Sequence, residues 1–197
     1  MAEIKVLIEG YAKEEKDVEL ASSTTVLIKE NNLNIIVDPG MNRKLLIDNL
    51  KKENLSILDI NYVILTHHHL DHILLAGIFK NAKVFDNNEI YSWDGKIKEH
   101  NGNIPSTSIK IIKTLGHGVF PCSILVNTKD LGKVVIAGDI FWWFDKETQK
   151  NDRESLIEHK DPYARKGNYI KESRIKLLDI ADWIIPGHGK MFKSPKV

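Results

Sequence analysis

The sequence predicts an α/β protein built as a four-layer αββα sandwich, in which two mixed β-sheets pack face to face with helices outside. Three observations favour this architecture. Short apolar runs rich in β-branched residues recur along the 197 residues, they form one group before and one group after the middle of the chain, and helical patterns lie among them. Many runs are continuous rather than alternating, which is typical of strands covered on both faces.

The predicted strands follow these apolar runs. The set is Val6–Ile8, Val26–Ile28, Ile35–Val37, Tyr62–Leu65, Ile109–Ile112, Ile124–Val126, Val134–Ile136 and Trp183–Ile185. The polar stretch Glu99–Ser108 contains a glycine and a proline and lies between the two strand groups. We therefore expect it to join the two halves of the sandwich.

Three helices are predicted from apolar spacing. The first, Arg43–Lys52, has leucines four positions apart and an asparagine before it that can cap the helix. A second should begin at Asp71 or His72 and continue through Phe79. The third, Lys171–Ala181, is expected to bury one side. The residues placed on that side are Ile175, Leu177 and Leu178.

Composition limits the class of protein. Hydrophobic residues make up 42% and charged residues 28%, as in ordinary globular proteins, and the length suits one domain covering residues 1–197. A net charge of +1 gives no general attraction to nucleic acid. No apolar run is long enough to span a membrane, and the first residues become polar before a signal-peptide core develops. We therefore expect a cytoplasmic protein with no membrane association.

Cys122 is the only cysteine, so an intrachain disulfide and a thiolate cluster for metal are both excluded. Any metal site must use imidazoles and carboxylates. Cys122 itself is expected to be a small residue of the core. The stretch Asp145–Gly167, rich in charge and poor in apolar residues, is interpreted as a mobile surface excursion that could carry substrate contacts.

The strongest chemical signal directly follows the strand Tyr62–Leu65, where the next seven residues include four histidines and one aspartate. In an extended loop alternate side chains share a side, so His67 and His69 can reach one metal ion. Asp71 and His72, at the turn into the predicted helix, can reach another.

Three further candidate ligands also follow apolar strands and have glycine beside them: His117, Asp139 and His188. Taken singly, each is explained by a tight turn that needs glycine or a polar capping residue. Taken together, four strand ends that each deliver metal-type ligands favour a metal site.

The pattern His-x-His-x-Asp-His, then Gly-His, Gly-Asp and Gly-His, resembles the metallo-β-lactamase superfamily. The spacings from His67 to His117, Asp139 and His188 are part of that resemblance, and Asp38 lies in a stretch similar to an early motif of the family. The stretches LTHHHLDHILLAGIFKNAKVF, CSILVNTKDLGKVVIAGDIF and DWIIPGHG are similar to the branch named metallo-β-lactamase-domain-containing protein 1.

The resemblance implies two divalent metal ions. The implied ligands are His67, His69 and His117 for the first ion, Asp71, His72 and His188 for the second, and Asp139 as a bridge between them. Nitrogen and oxygen ligands suit zinc, with iron or manganese as alternatives. Asp38 would fix the ligand loop by hydrogen bonds, or else serve only as a turn residue. Gly118 departs from many relatives, which have threonine or serine after this histidine.

The implied reaction is hydrolysis by a metal-bound hydroxide, because two cations lower the pKa of bound water toward about 7. Asp71 would orient the hydroxide. The substrate is expected to be a small molecule with an ester, thioester, lactam or phosphodiester bond. The alternatives are an RNA-processing nuclease, a mononuclear iron oxidoreductase of the persulfide dioxygenase type, and a catalytically silent metal protein. The sequence does not determine the oligomeric state, and it is compatible with a dimer.

Two sequence features concern the surroundings of this site. The aromatic run Phe141–Phe144 directly follows Asp139, so some of its rings should form an apolar wall near the metals and others should pack in the core. The three histidines outside the motif, His68, His100 and His159, are expected to be exposed to solvent rather than to bind metal.

Overall fold

The computed structural model describes residues 1–164 and 167–196. Its strands are β1 Glu3–Ile8, β2 Tyr11–Glu15, β3 Val18–Ser22, β4 Thr25–Glu30, β5 Leu33–Val37, β6 Tyr62–Ile64, β7 Lys83–Phe85, β8 Glu89–Tyr91, β9 Ile97–Glu99, β10 Lys110–Lys113, β11 Cys122–Asn127, β12 Lys133–Gly138, β13 Trp183–Pro186 and β14 Phe192–Lys193. Its α-helices are α1 Arg43–Lys52, α2 Leu70–Ile73, α3 Arg153–Glu158 and α4 Gly167–Ile180.

Two mixed sheets form the centre of the protein. The first has the order β1-β4-β5-β6-β7-β8-β9 and the second the order β10-β11-β12-β13-β14, while β2 and β3 pair as a separate hairpin. The pairs β5–β6, β6–β7 and β12–β13 are parallel, and the other pairs in both sheets are antiparallel. The chain passes from one sheet to the other between β9 and β10, where the polar stretch Glu99–Ser108 was predicted to join the halves.

Alternate residues of the central strands face opposite layers. Ile35 and Val37 pack in the cluster between the two sheets, whereas Ile36 packs with Leu46 and Leu50 of α1 on the outer face of the first sheet. Because both faces are covered, each residue of such a strand can be apolar. This explains the continuous apolar runs.

The outer face of the second sheet is covered in the same way by α3 and α4, through a cluster that includes Leu156, Leu177 and Leu178. The predicted four-layer αββα sandwich is therefore confirmed. The first helix has its predicted bounds, and the Asn42 side chain accepts a hydrogen bond from the Leu45 N–H at its start. The assignment of residues 1–197 to one domain stays a prediction.

The predicted second helix is wrong in length, since α2 ends at Ile73 and only a short 3₁₀ turn, Ala76–Ile78, follows. Backbone contacts with the loop at Gly40 explain the early end. The Leu75 N–H donates to the Gly40 carbonyl, and the Gly40 N–H donates to the His72 carbonyl. These groups are thus unavailable for continued helical hydrogen bonding.

Helix α4 begins earlier than predicted. Of the three residues predicted to be buried on this helix, one is exposed. Ile175 is 40% exposed, whereas Arg174 is 1% exposed. Burial of this arginine is compatible with its charge because its guanidinium donates to the carbonyls of Ile140, Ile157 and His159.

The charged stretch Asp145–Gly167 was interpreted as a mobile surface excursion, but part of it is a helix packed on the core. It contains α3, whose Leu156 is fully buried, and the Asp152 side chain caps that helix by accepting from the Ser155 N–H. Residues 165 and 166 of this stretch lie outside the described residues. Within the described ranges, no helix combines the length and the apolar character needed to cross a membrane.

Candidate metal centre

The loops that follow β6, β10, β12 and β13 converge at one edge of the sandwich and bring all seven predicted ligand residues together. Their ligand atoms form two groups, each with its atoms within 4.8 Å of one another. The first group is His67, His69, His117 and Asp139, and the second is Asp71, His72 and His188. Asp139 belongs only to the first of these groups, whereas the resemblance implied that it bridges two ions. The assignment of the seven residues to two metal ions stays a prediction.

Asp139 lies between the groups and presents one carboxylate oxygen to each. Its Oδ2 is 3.3 Å from His117 Nε2 and 3.5 Å from His67 Nε2. Its Oδ1 is 3.2 Å from His72 Nε2 and 3.7 Å from His188 Nε2. A carboxylate in this position is able to serve both groups at once.

Asp71 completes the second group from its open side. Its Oδ2 lies 3.1 Å from His188 Nε2 and 3.7 Å from His72 Nε2. The Asp71 side chain is 22% exposed, whereas His72 and His188 are almost fully buried. Asp71 is therefore both a candidate ligand and a group that a bound molecule can touch.

Three buried polar atoms at the centre lie 3.2–3.7 Å from atoms of neighbouring candidate ligands, but none of these contacts has the geometry of a hydrogen bond: His67 Nε2, His72 Nε2 and Asp139 Oδ1. Leaving such an atom unpaired costs about 1–3 kcal/mol, so a folded protein usually provides a partner. Imidazole nitrogens and carboxylate oxygens that converge without partners have the chemistry of ligands for a divalent cation. The residues present thus fit the metal ions that the sequence resemblance implies.

Electrostatic interactions at the centre couple the buried groups. Burial lowers the pKa of His67 well below its ordinary value, and the neighbouring imidazole of His72 adds to this. Burial alone would raise the pKa of Asp139, but the imidazoles around it, chiefly those of His72 and His188, hold the pKa of this carboxyl well below its usual range. Burial would also lower the pKa of His72, but the carboxylates of Asp139 and Asp38 hold it well above its ordinary value.

Asp38 supports the second group from behind. Its side chain is 2% exposed and accepts hydrogen bonds from the Thr66 N–H at 2.8 Å and the Thr66 hydroxyl at 2.6 Å. Its Oδ2 is also 2.8 Å from His72 Nδ1. The side chain therefore joins the ligand loop to a ligand imidazole, as the hypothesis of a supporting role expects. Thr66 is a further supporting residue that the sequence did not indicate.

Asp161 is a second supporting carboxylate that sequence reasoning missed. Its Oδ2 lies 2.6 Å from His117 Nδ1, and both side chains are 1% exposed. Burial would lower the pKa of His117, but the hydrogen bonds to Asp139 and Asp161 raise it to about 9. Asp161 lies 44 positions from His117 in a stretch interpreted as surface, so no local pattern could have paired them.

Gly118 occupies a position where the ligands leave no space for a side chain. Its φ of +69° is in the left-handed region, and a Cβ atom there would lie 2.8 Å from Cδ2 of the His67 ring. The positive φ and the short distance to His67 therefore explain why this position holds a glycine.

A cavity of about 690 Å³ opens at this centre. Its lining includes Ala12, Leu20 and Ala21 from the β2–β3 hairpin, the candidate ligands His69, Asp71, His117, Asp139 and His188, and the aromatic residues Trp142, Phe144 and Tyr163. Lysines and glutamates also line it. The predicted aromatic wall consists of Trp142 and Phe144, whereas Phe141 and Trp143 pack in the core beside the second sheet.

The expectation of solvent exposure for the three remaining histidines is wrong, because each is only partly exposed. His68 Nε2 lies 3.3 Å from Asp86 Oδ2, and His100 Nε2 donates to the Asp86 carbonyl. The His159 ring packs against the Trp143 ring, with 5.4 Å between the two ring centroids. Cys122, by contrast, is in the core as predicted, with 1% of its surface exposed.

The chain is similar to known proteins in sequence and in fold. A family model described as "Metallo-beta-lactamase superfamily" matches residues 18–100. Metallo-beta-lactamase domain-containing protein 1 of Xenopus laevis is 29% identical over 202 residues, which cover 98% of this chain and 82% of that protein. The chain belongs to the metallo-β-lactamase superfamily. It spans between 41 and 62% of four further curated relatives.

Solved structures show the same fold. A candidate metallo-β-lactamase of Thermotoga maritima has a TM-score of 0.72 at 22% identity and covers 98% of this chain and 99% of that one. AidC, a dizinc quorum-quenching lactonase, has a TM-score of 0.64 at 16% identity and covers 91% of this chain and 78% of that one. The His/Asp centre of this superfamily member therefore lies within a metallo-β-lactamase fold.

Proposed function

We propose that the chain is a dinuclear metal-dependent hydrolase that acts on an ester, thioester, lactam or phosphodiester bond of a small molecule. The single observation that carries this proposal is the position of Asp139. Its two carboxylate oxygens face different ligand groups, at 3.2–3.7 Å from four histidine nitrogens. Two neighbouring cations would repel each other, and a carboxylate with one oxygen toward each would reduce that repulsion.

The ligand assignment follows the two groups. His67, His69 and His117 would hold one ion, Asp71, His72 and His188 the other, and Asp139 would contact both. Zinc suits these nitrogen and oxygen atoms, and iron or manganese are alternatives. Bound cations would make a hydroxide nucleophile available near neutral pH and would polarise the bond to be cleaved.

The chain's own residues supply orientation and an apolar environment. Asp71 borders the cavity and can accept a hydrogen bond from the attacking water. Trp142, Phe144 and Tyr163 provide apolar surface beside the ligands, which favours a substrate with an apolar group next to the scissile bond. Side chains of both charges line the cavity, the lysines being Lys13 and Lys146. This mixture supports a small molecule over the alternative of an RNA substrate.

The proposal is tested by counting metal ions in the purified protein and assaying nitrophenyl esters, bis-phosphodiesters and thioesters. We expect about two ions per chain and metal-dependent turnover of at least one class. His69→Ala should abolish that turnover, because His69 faces both the cavity and the ligand group. His100→Ala is the matched control, since His100 lies outside both groups. One tightly bound iron would instead favour the oxidoreductase alternative, and cleavage of RNA alone would favour the nuclease.

The same proposal predicts that no side-chain nucleophile is required. Cys122→Ala should therefore keep most of the turnover. Cys122 is 1% exposed, its thiol donates to the Leu65 carbonyl, and burial raises the thiol pKa well above its ordinary value, so a reactive thiolate is disfavoured. Ser123→Ala should behave likewise, because the Ser123 hydroxyl is buried and bonded to the Ala137 carbonyl. A Cys122→Ala protein that keeps its metals and fold but loses activity would disprove this mechanism.

A further inference from the structure

We infer that Asp161 is a positioning residue for His117, and that its carboxylate sets the affinity of the ion in the first ligand group. This inference rests on the proposed function, because it assumes that the two groups hold metal ions. Asp161 is absent from the lining of the cavity. It acts only through the imidazole that it holds.

The geometry separates the two nitrogens of the His117 ring. Nδ1 faces Asp161 Oδ2 at 2.6 Å. Nε2 faces the ligand cluster, 3.3 Å from Asp139 Oδ2 and 3.3 Å from His69 Nδ1. A carboxylate that accepts the Nδ1 proton's hydrogen bond favours the tautomer in which Nε2 carries the lone pair. Asp161 thereby orients the unprotonated Nε2 of His117 toward the cluster and makes this nitrogen more basic.

The second ligand group has a corresponding pair. There the carboxylate of Asp38 lies 2.8 Å from Nδ1 of His72, and His72 Nε2 faces the cluster. Each group thus contains one histidine backed by a buried carboxylate. The two carboxylates have different origins, since Asp38 follows β5 of the first sheet whereas Asp161 lies between α3 and α4.

The position of Asp161 is itself fixed by its neighbours. Its Oδ1 accepts from the Tyr163 N–H at 2.8 Å, and its carbonyl accepts from the Ala164 N–H. Ala164 in turn forms a backbone bridge with His117. The buried Arg174 guanidinium donates to the His159 carbonyl just before this turn. The residue after His117 is glycine, so it has no side chain to offer His117 a hydrogen bond, and Asp161 supplies one.

The test measures metal binding directly, without turnover. The wild-type protein, Asp161→Ala and Asp161→Asn would be titrated with Zn²⁺ against a chromophoric chelator. Loss of such a supporting carboxylate typically weakens metal affinity by about 10–100-fold. We expect that loss for one ion in Asp161→Ala, a smaller loss in Asp161→Asn, whose amide oxygen can still accept the hydrogen bond, and unchanged affinity for the other ion.

A site-resolved signal distinguishes positioning from general destabilisation. In protein loaded with ¹¹³Cd²⁺, Asp161→Asn should shift one cadmium resonance and Asp38→Asn the other. Asp152→Ala is the control, because it removes an exposed helix cap of the same segment. Loss of this cap should lower thermal stability without moving either resonance.

The metal titrations distinguish a failure of the role of Asp161 from a failure of the proposed function. Equal weakening of both ions, or affinities equal to wild type in Asp161→Ala, would overturn the role of Asp161 while leaving the dinuclear proposal intact. A wild-type protein that binds no metal would overturn both. If Asp161→Ala does not fold, Asp161→Asn decides the question.

Discussion

Under the proposed function, Asp139→Asn is expected to reduce the metal content from about two ions per chain toward one and to lower hydrolysis by more than about 100-fold. Removal of a group that merely supports a ligand already costs about 10–100-fold in affinity or activity, and Asp139 is placed to be a ligand itself. At equal separation, two divalent ions repel each other about four times as strongly as two unit charges. The variant side chain nearly keeps its shape but loses the charge that offsets this repulsion.

Metal per chain after dialysis, measured by elemental analysis together with kcat, checks this expectation. Asp86→Asn is a suitable control, because Asp86 is also a buried carboxylate directly after a strand, at 2% exposure, yet belongs to neither ligand group. It should lose stability but keep both ions. Unchanged metal content in Asp139→Asn would show that this carboxylate does not bridge.

Gly187→Ala is expected to disrupt the centre through packing rather than charge. A Cβ atom at this position would lie 1.8 Å from Asp139 Oδ1 and 3.0 Å from the Gly138 carbonyl carbon. The backbone cannot easily move away, because the Gly187 N–H donates to the carbonyls of Gly138 and Phe141. Overpacking of this kind typically lowers the free energy of unfolding by about 1–3 kcal/mol.

For a chain of this size each kcal/mol lowers the melting temperature by about 2–4 °C. We therefore expect Gly187→Ala to melt several degrees lower and to retain less metal, as measured by calorimetry and elemental analysis. Gly77→Ala is the control, since a Cβ atom at Gly77 meets nothing within 4 Å. Equal melting temperature and metal content in the two variants would contradict the steric argument.

The parts of the fold that the sequence predicts well are those with strong local signals. Continuous apolar runs such as Ile35–Val37 require burial on both faces, so they indicate central strands. The candidate ligands are indicated for a related reason, because His67, His117, Asp139 and His188 each come after such a run. The β2–β3 hairpin was missed because strands such as Tyr11–Glu15 are short and polar, and so were the peripheral strands β7, β8, β9 and β14.

The features that the sequence did not predict depend on contacts between distant segments. The end of α2 is determined by hydrogen bonds to Gly40, and the role of Asp161 depends on its approach to His117 across 44 positions. The burial of Arg174 likewise requires carbonyl groups from separate loops. Such pairings become visible only when the tertiary structure places the partners side by side.

Each ligand group draws residues from both sheets, which has a consequence for the lifetime of the protein in a cell. His67 and His69 follow β6 of the first sheet, and His117 and Asp139 follow strands of the second. Under the proposed function, ions bound here would tie the halves together. Free metal at about 100 times the dissociation constant would add about 2.7 kcal/mol of stability per site. Metal shortage would then populate opened states that proteases cleave, so cellular metal supply would set how much of this protein accumulates.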